Sequence, residues 1–168
     1  MSFQEIITRV ESSQEWKTWH AAHAGGFLAH GFMLLDAPNK DLWQIGYFCP
    51  TTDRMTTFMV EPQNITVGPE AEVMKDESGV LPLNLNEVQI DELTAMNHAN
   101  KARAVTFPGE HVLKVFFILQ TLRLGTVYNI TFVTQSLRTL NFKIASTTGT
   151  VLAQSGESLV QMSPGKKS

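Results

Sequence analysis

Three histidines stand close together early in the chain: His20, His23 and His30. His20 and His23 are three apart on a stretch that reads as helix, so both can face one side and hold a metal ion. His30, on the strand that follows, is the candidate third ligand. No cysteine or carboxylate completes a metal-site spacing around them, and no metal is expected. His23 near a helix C-terminus suits the macrodipole. His30 in an apolar strand reads as a hydrogen-bonded core residue. Cys49, the one cysteine, is the candidate nucleophile. No Cys-His signature surrounds it, and a free cysteine more commonly serves as a small buried apolar residue. Asp36, Asp41 and Asp53 flank turns, where aspartate serves the backbone. No phosphate loop, Gly-x-Ser-x-Gly motif or nucleotide fingerprint occurs, so neither catalysis nor a cofactor is expected.

Aromatic residues form the other constellation. Trp16, Trp19, Phe27, Phe32, Trp43, Tyr47, Phe48 and Phe58 concentrate in the first half. Most should fill a core between helix and sheet. Tryptophan and tyrosine also want a polar partner at one end, which suits a pocket rim. Trp43, Tyr47 and His30 are therefore the candidate ligand-binding residues, in an aromatic-lined pocket of the N-terminal half.

The elements that must position these residues follow from periodicity. Ser2 with Glu5 predicts a capping box for a helix whose apolar stripe is Phe3, Ile6, Ile7 and Val10. Ser12 with Glu15 predicts the start of a second helix, stopped by Gly25-Gly26. Strands are expected at 27–35, 42–49 and 55–60, with a fourth at 64–74. Residues 37–41 are a turn by composition. The polar stretch 75–79 and Val80-Leu81-Pro82 form the expected linker. Asp91 is the expected cap of a helix to about Val105, with Leu93, Met96, Ala99 and Ala102 as its buried stripe. Strands then follow at 112–119, 128–134, 139–145 and 151–160, where short turns predict an antiparallel meander. The tail 163–168 is polar.

The two halves overlay. Phe32–Leu35 lies over Phe116–Leu119, Trp43–Tyr47 over Tyr128–Phe132, and Phe58 and Val60 over Phe142 and Ile144. Each half reads as helix followed by three or four strands, which points to a tandem duplication. The expected class is α+β, with two helix-plus-antiparallel-sheet modules at 1–75 and 88–162.

The stretch YNITFVTQSLRTLNFKIASTTGTVLAQ, residues 128–154, resembles the strand pair and Thr-Gly turn of PepSY-type domains, with the likeness extending over about 90–161. Ala145–Val151 stands where that family has a strand end, an acidic residue and a glycine turn, and lacks the acidic residue. A cystatin-like arrangement would read similarly. The resemblance implies a small module that binds or inhibits, with a peptidase as partner.

Composition bounds the rest. Of 168 residues, 43% are hydrophobic and 17% charged, so a substantial core is affordable and the surface is lightly charged. Net charge −3 gives no electrostatic case for nucleic acid or an anionic membrane. No signal peptide or spanning run is visible, which makes a cytoplasmic setting the expectation. Phe116 and Phe117 place apolar rings on both faces of one strand, and Phe48 and Val133 fall opposite Tyr47 and Phe132. The outer sheet face therefore needs a cover, either the other module or a second subunit as a homodimer. The sequence reads as a non-catalytic binding or interaction protein, with a small-molecule binder or enzyme as the alternative.

Overall fold

The computed structural model describes residues 1–35, 42–73 and 79–159. Helix α1, Phe3–Glu11, begins with the predicted capping box. The Ser2 hydroxyl accepts from the Glu5 amide at 3.2 Å, and the Glu5 carboxylate accepts from the Ser2 amide at 2.9 Å. Phe3, Ile6, Ile7 and Val10 are all buried. Helix α2, Gln14–Ala22, is capped by Ser13 rather than the expected Ser12, and the Ser13 hydroxyl accepts from the Trp16 amide at 3.2 Å. Ser12 is the C-cap of α1. The two helices abut, so the first serine ends one and the second starts the other. Gly25, at φ +82°, turns the chain into the sheet.

Eight strands form one continuous antiparallel sheet: β1 Phe27–Leu35, β2 Trp43–Cys49, β3 Arg54–Val60, β4 Ile65–Val67, β5 Val112–Leu122, β6 Gly125–Thr134, β7 Arg138–Ala145 and β8 Val151–Ser158. The spatial order is β4-β3-β2-β1-β5-β6-β7-β8. The first four and last four strands stay contiguous and meet at β1 and β5, from His30 opposite Gln120 to Leu35 opposite Val115. Pairing at this seam removes two apolar edges that would otherwise present unpaired backbone. The expected fourth strand contracts to Ile65–Val67, with an isolated bridge between Met55 and Ala71 beyond it. The β5–β6 hairpin is longer than expected and turns at residues 123–124.

The overlay of the halves can be compared rung by rung. Ile45 pairs with Phe58, and Ile130 with Phe142, so these residues occupy corresponding rungs. On the seam strands, however, Ile45 pairs with Gly31 while Ile130 pairs with Phe117. The overlay of Met33 on Phe117 is therefore two residues out of register. Gly31 leaves room that the Phe3 ring occupies, since a methyl group built there would overlap that ring.

The main core lies on the helix side of the sheet, where Trp43, Ile45, Tyr47, Phe58, Phe117, Tyr128, Ile130, Phe132, Phe142 and Ile144 meet α1, α2 and helix α3, Glu92–Thr106. Asp91 caps α3 as expected, accepting from the Thr94 amide at 2.7 Å. Its buried stripe is corrected: Ala95 and Ala99 are buried, Met96 and Ala102 only partly, and Leu93 is 68% exposed. Small residues let α3 settle closely on the sheet, which rotates Leu93 outwards.

The expected turn at 37–41, Asp36, Asp41, part of the linker and the tail after 159 fall outside the described residues. From Gly79 the chain runs along the other sheet face. Val73 and Val80 pack there on Ala29, Phe48 and Met55. The cover for Phe48 is thus the chain's own strap. Leu83 then joins the main core, its amide donating to the Leu28 carbonyl at 2.9 Å. An unexpected 3-10 turn, Leu85–Glu87, follows before α3.

Candidate functional site

Helices α1 and α3 do not close over the seam between the two halves. Between them lies a cavity of about 370 Å³. Met33 of β1, Trp43 of β2 and Phe117 of β5 floor it, with Ile6 on α1 and Met96 on α3 as walls. The floor is rigid. Trp43 meets the Phe3 ring edge-on at 5.0 Å and Phe117 at 6.1 Å. The mouth is soft, with Met1 75% and Leu93 68% exposed. Glu92 adds a carboxylate to the lining. A cavity this size accepts a small ligand or a large apolar side chain, and Glu92 supplies its one charged side chain among the described residues.

The predicted ligand-binding residues separate. Trp43 lines this cleft. Tyr47 is packed in the core against Trp19 at 5.5 Å and Phe58 at 5.4 Å. Its hydroxyl donates to Glu11 at 2.9 Å, and burial together with that carboxylate pushes the phenol well above its ordinary range. Nearby, the Trp19 indole N–H donates to the Thr56 hydroxyl at 3.0 Å. The buried Trp16 indole nitrogen has no partner among the described residues.

The three histidines do not converge. His20 is exposed and stacks on Trp16 at 4.5 Å. His23 is the C-cap of α2, as its position predicted. One ring nitrogen lies 2.7 Å from the Trp19 carbonyl and the other 2.6 Å from Glu70. The carbonyl contact, then Glu70, outweigh burial and raise its pKa. Glu70 was not anticipated, because it lies after β4 with no local pattern linking it to α2. His30 sits on the opposite face of the sheet, its ring over Gly46. The expected hydrogen-bonded core role is corrected: its ring makes no hydrogen bond to a described residue, and burial alone lowers its pKa. Among the described residues no group of three potential ligands is placed to hold a metal.

Cys49 is buried at the end of β2, with its sulfur 3.9 Å from the Ala24 carbonyl. Burial pushes the thiol up, but hydrogen bonds at Thr52 and Thr51, with His23 nearby, bring it net below its ordinary value. Both His23 nitrogens are engaged elsewhere, so that ring is not arranged as a base for the thiol.

Met33, Met96, Phe117 and Glu92 were read from the sequence as core or helix start, not as cleft residues. The signal for the cleft is the long-range β1–β5 pairing, which local periodicity does not carry.

No protein-family model matches the chain, and no curated protein matches its sequence. In fold the chain is similar to a provisionally named lipoprotein from Clostridium difficile 630, known from a crystal structure. The TM-score is 0.62 at 15% identity, covering 94% of this chain and 93% of that one. The likeness is one of fold.

Proposed function

We propose that this chain is a non-catalytic binding protein, built as two helix-plus-sheet modules, that takes an apolar side chain of a protein partner into the cleft between α1 and α3. The carrying observation is the cleft itself, with a floor of Met33, Trp43 and Phe117 beneath a mouth of exposed Leu93 and Met1. Methionines in the floor, wall and mouth (Met33, Met96 and Met1) adapt to side chains of differing shape. Glu92 at the lining favours a lysine or arginine beside the inserted residue. The two-module reading draws support from the contiguity of each half in the sheet. The PepSY-like resemblance of residues 90–161 makes a peptidase a partner of the right kind.

Selection of displayed peptides on the folded chain tests this reading. Enriched peptides should share one large apolar residue flanked by a basic one. They should lose binding to Leu93→Glu at an unchanged melting temperature. Binders that ignore that substitution, or no binders at all, would overturn it.

A further inference from the structure

The sheet ends on one side at β4, a strand of three residues, and on the other at β8, a strand of eight. A very short edge strand offers little to a neighbour, whereas a long one is a template for another chain. Leu152, Gln154, Ser155, Gly156 and Glu157 of β8 are all exposed. The strand carries no proline or lysine, and its single charge is Glu157. The Leu159 amide donates to the Leu137 carbonyl at 2.7 Å, and the ladder keeps that register back to Ala153 opposite Lys143. Residues 153, 155 and 157 therefore bond to β7, while Gln154, Gly156 and Ser158 turn their N–H and C=O groups outwards.

We propose that β8 pairs antiparallel with β8 of a second copy, joining two sheets into one across a two-fold axis at Ser155. The outward groups permit it, because Gln154 then faces Gly156 of the other copy and the two exchange both backbone hydrogen bonds. Glu157 falls opposite Ala153 of that copy. Next in the same row stands Lys143 of β7. Lys143 lies on the sheet face away from buried Leu140, Phe142 and Ile144, and Glu157, in register with Thr139, lies on the same face. Each dimer thus aims two carboxylates at two ammonium groups, with only an alanine methyl between. Moving the axis to Gln154 or Gly156 keeps the backbone bonds but takes Glu157 out of that row. The charges therefore select Ser155. Association runs through the sheet edge, away from the cleft.

An edge ladder buries little area, so the dimer dissociates on dilution. Sedimentation equilibrium of the full chain up to about 1 mM should show monomer and dimer in exchange. In a mixture of labelled and unlabelled chains, NMR should detect contacts between Gln154 of one copy and Gly156 of another. Ser155→Lys sets two lysines against each other at the axis and should weaken dimerisation about five-fold. Glu157→Lys should weaken it by a similar factor, and adding Lys143→Glu should restore the parent affinity. Ser155 and Glu157 are exposed, so their variants should keep the parent melting temperature. Leu93→Glu, the cleft variant, should leave the dimer unchanged, which separates failure of this surface from failure of the cleft. A single-chain mass at every concentration would overturn the proposal. A dimer untouched by Ser155→Lys, or one that the charge exchange does not rescue, would do the same.

Discussion

Gly46 lies beneath the imidazole of His30, its partner across the β1–β2 ladder, so closely that a methyl group built on the glycine would overlap the ring. The missing side chain on β2 is what lets the His30 ring lie flat against the sheet. Gly46→Ala should therefore destabilise the fold by roughly 1–3 kcal/mol through overpacking. The double substitution Gly46→Ala with His30→Ala should be less destabilised than the two single effects added together. Urea midpoints of the four proteins in this cycle check it, and strict additivity would show that the ring is elsewhere.

Phe117→Ala should cost roughly 3–5 kcal/mol, because the ring is 2% exposed and meets both Trp43 and Tyr128. An unchanged denaturation midpoint would mean that β5 is out of register. Phe116, one residue away, is only partly buried and should cost less on the same substitution.

Thr56→Val retains the volume of a 2% exposed side chain but removes the acceptor for the Trp19 indole. Leaving that N–H buried and unpaired should cost about 1–3 kcal/mol. Adding Trp19→Phe, which removes the donor, should cost much less in the Thr56→Val background than in the parent if the hydrogen bond is the cause.

The two buried or capped histidines act on stability with opposite sign. His30 has a lowered folded pKa, so its share of stability is complete above about pH 6.5 and is lost as pH falls towards the lowered value. His23 has a raised folded pKa, so its share is complete below about pH 6.5 and is lost as pH rises through the raised value. Stability measured from pH 5 to 8 should lose its acid-side decline in His30→Phe. It should lose its alkaline-side decline in His23→Gln. No change of slope in either variant would contradict the assignment.

Much of this architecture was legible from spacing. The Ser2–Glu5 box, the alternation in β2, β6 and β7, and the Asp91 cap are local features, encoded within a few residues of where they act. Leu93 was misjudged because its helical period matches Met96, whereas the two alanines, 95 and 99, set the contact. A periodicity argument weights bulk, but close packing of helix on sheet selects for smallness. The cleft was hidden for a different reason. It depends on β1 lying beside β5, and nothing near either strand announces a partner so distant in the chain.

That same seam has a consequence for how the molecule forms. Every described ladder except β1–β5 joins strands that follow one another in the chain. Such hairpins can zip quickly, each closing a short loop. The seam instead brings together Met33 and Phe117, with β2, β3, β4 and α3 between them in the chain. Its loop-closure entropy is smallest once the β1–β4 meander and α3, which lie within the loop, are already compact, so the natural order of assembly is the meanders first and their joining last. Until that joining, β1 and β5 are bare edges, and β5 carries the densest apolar run in the chain. The interval before docking is when one copy is most open to pairing wrongly with another.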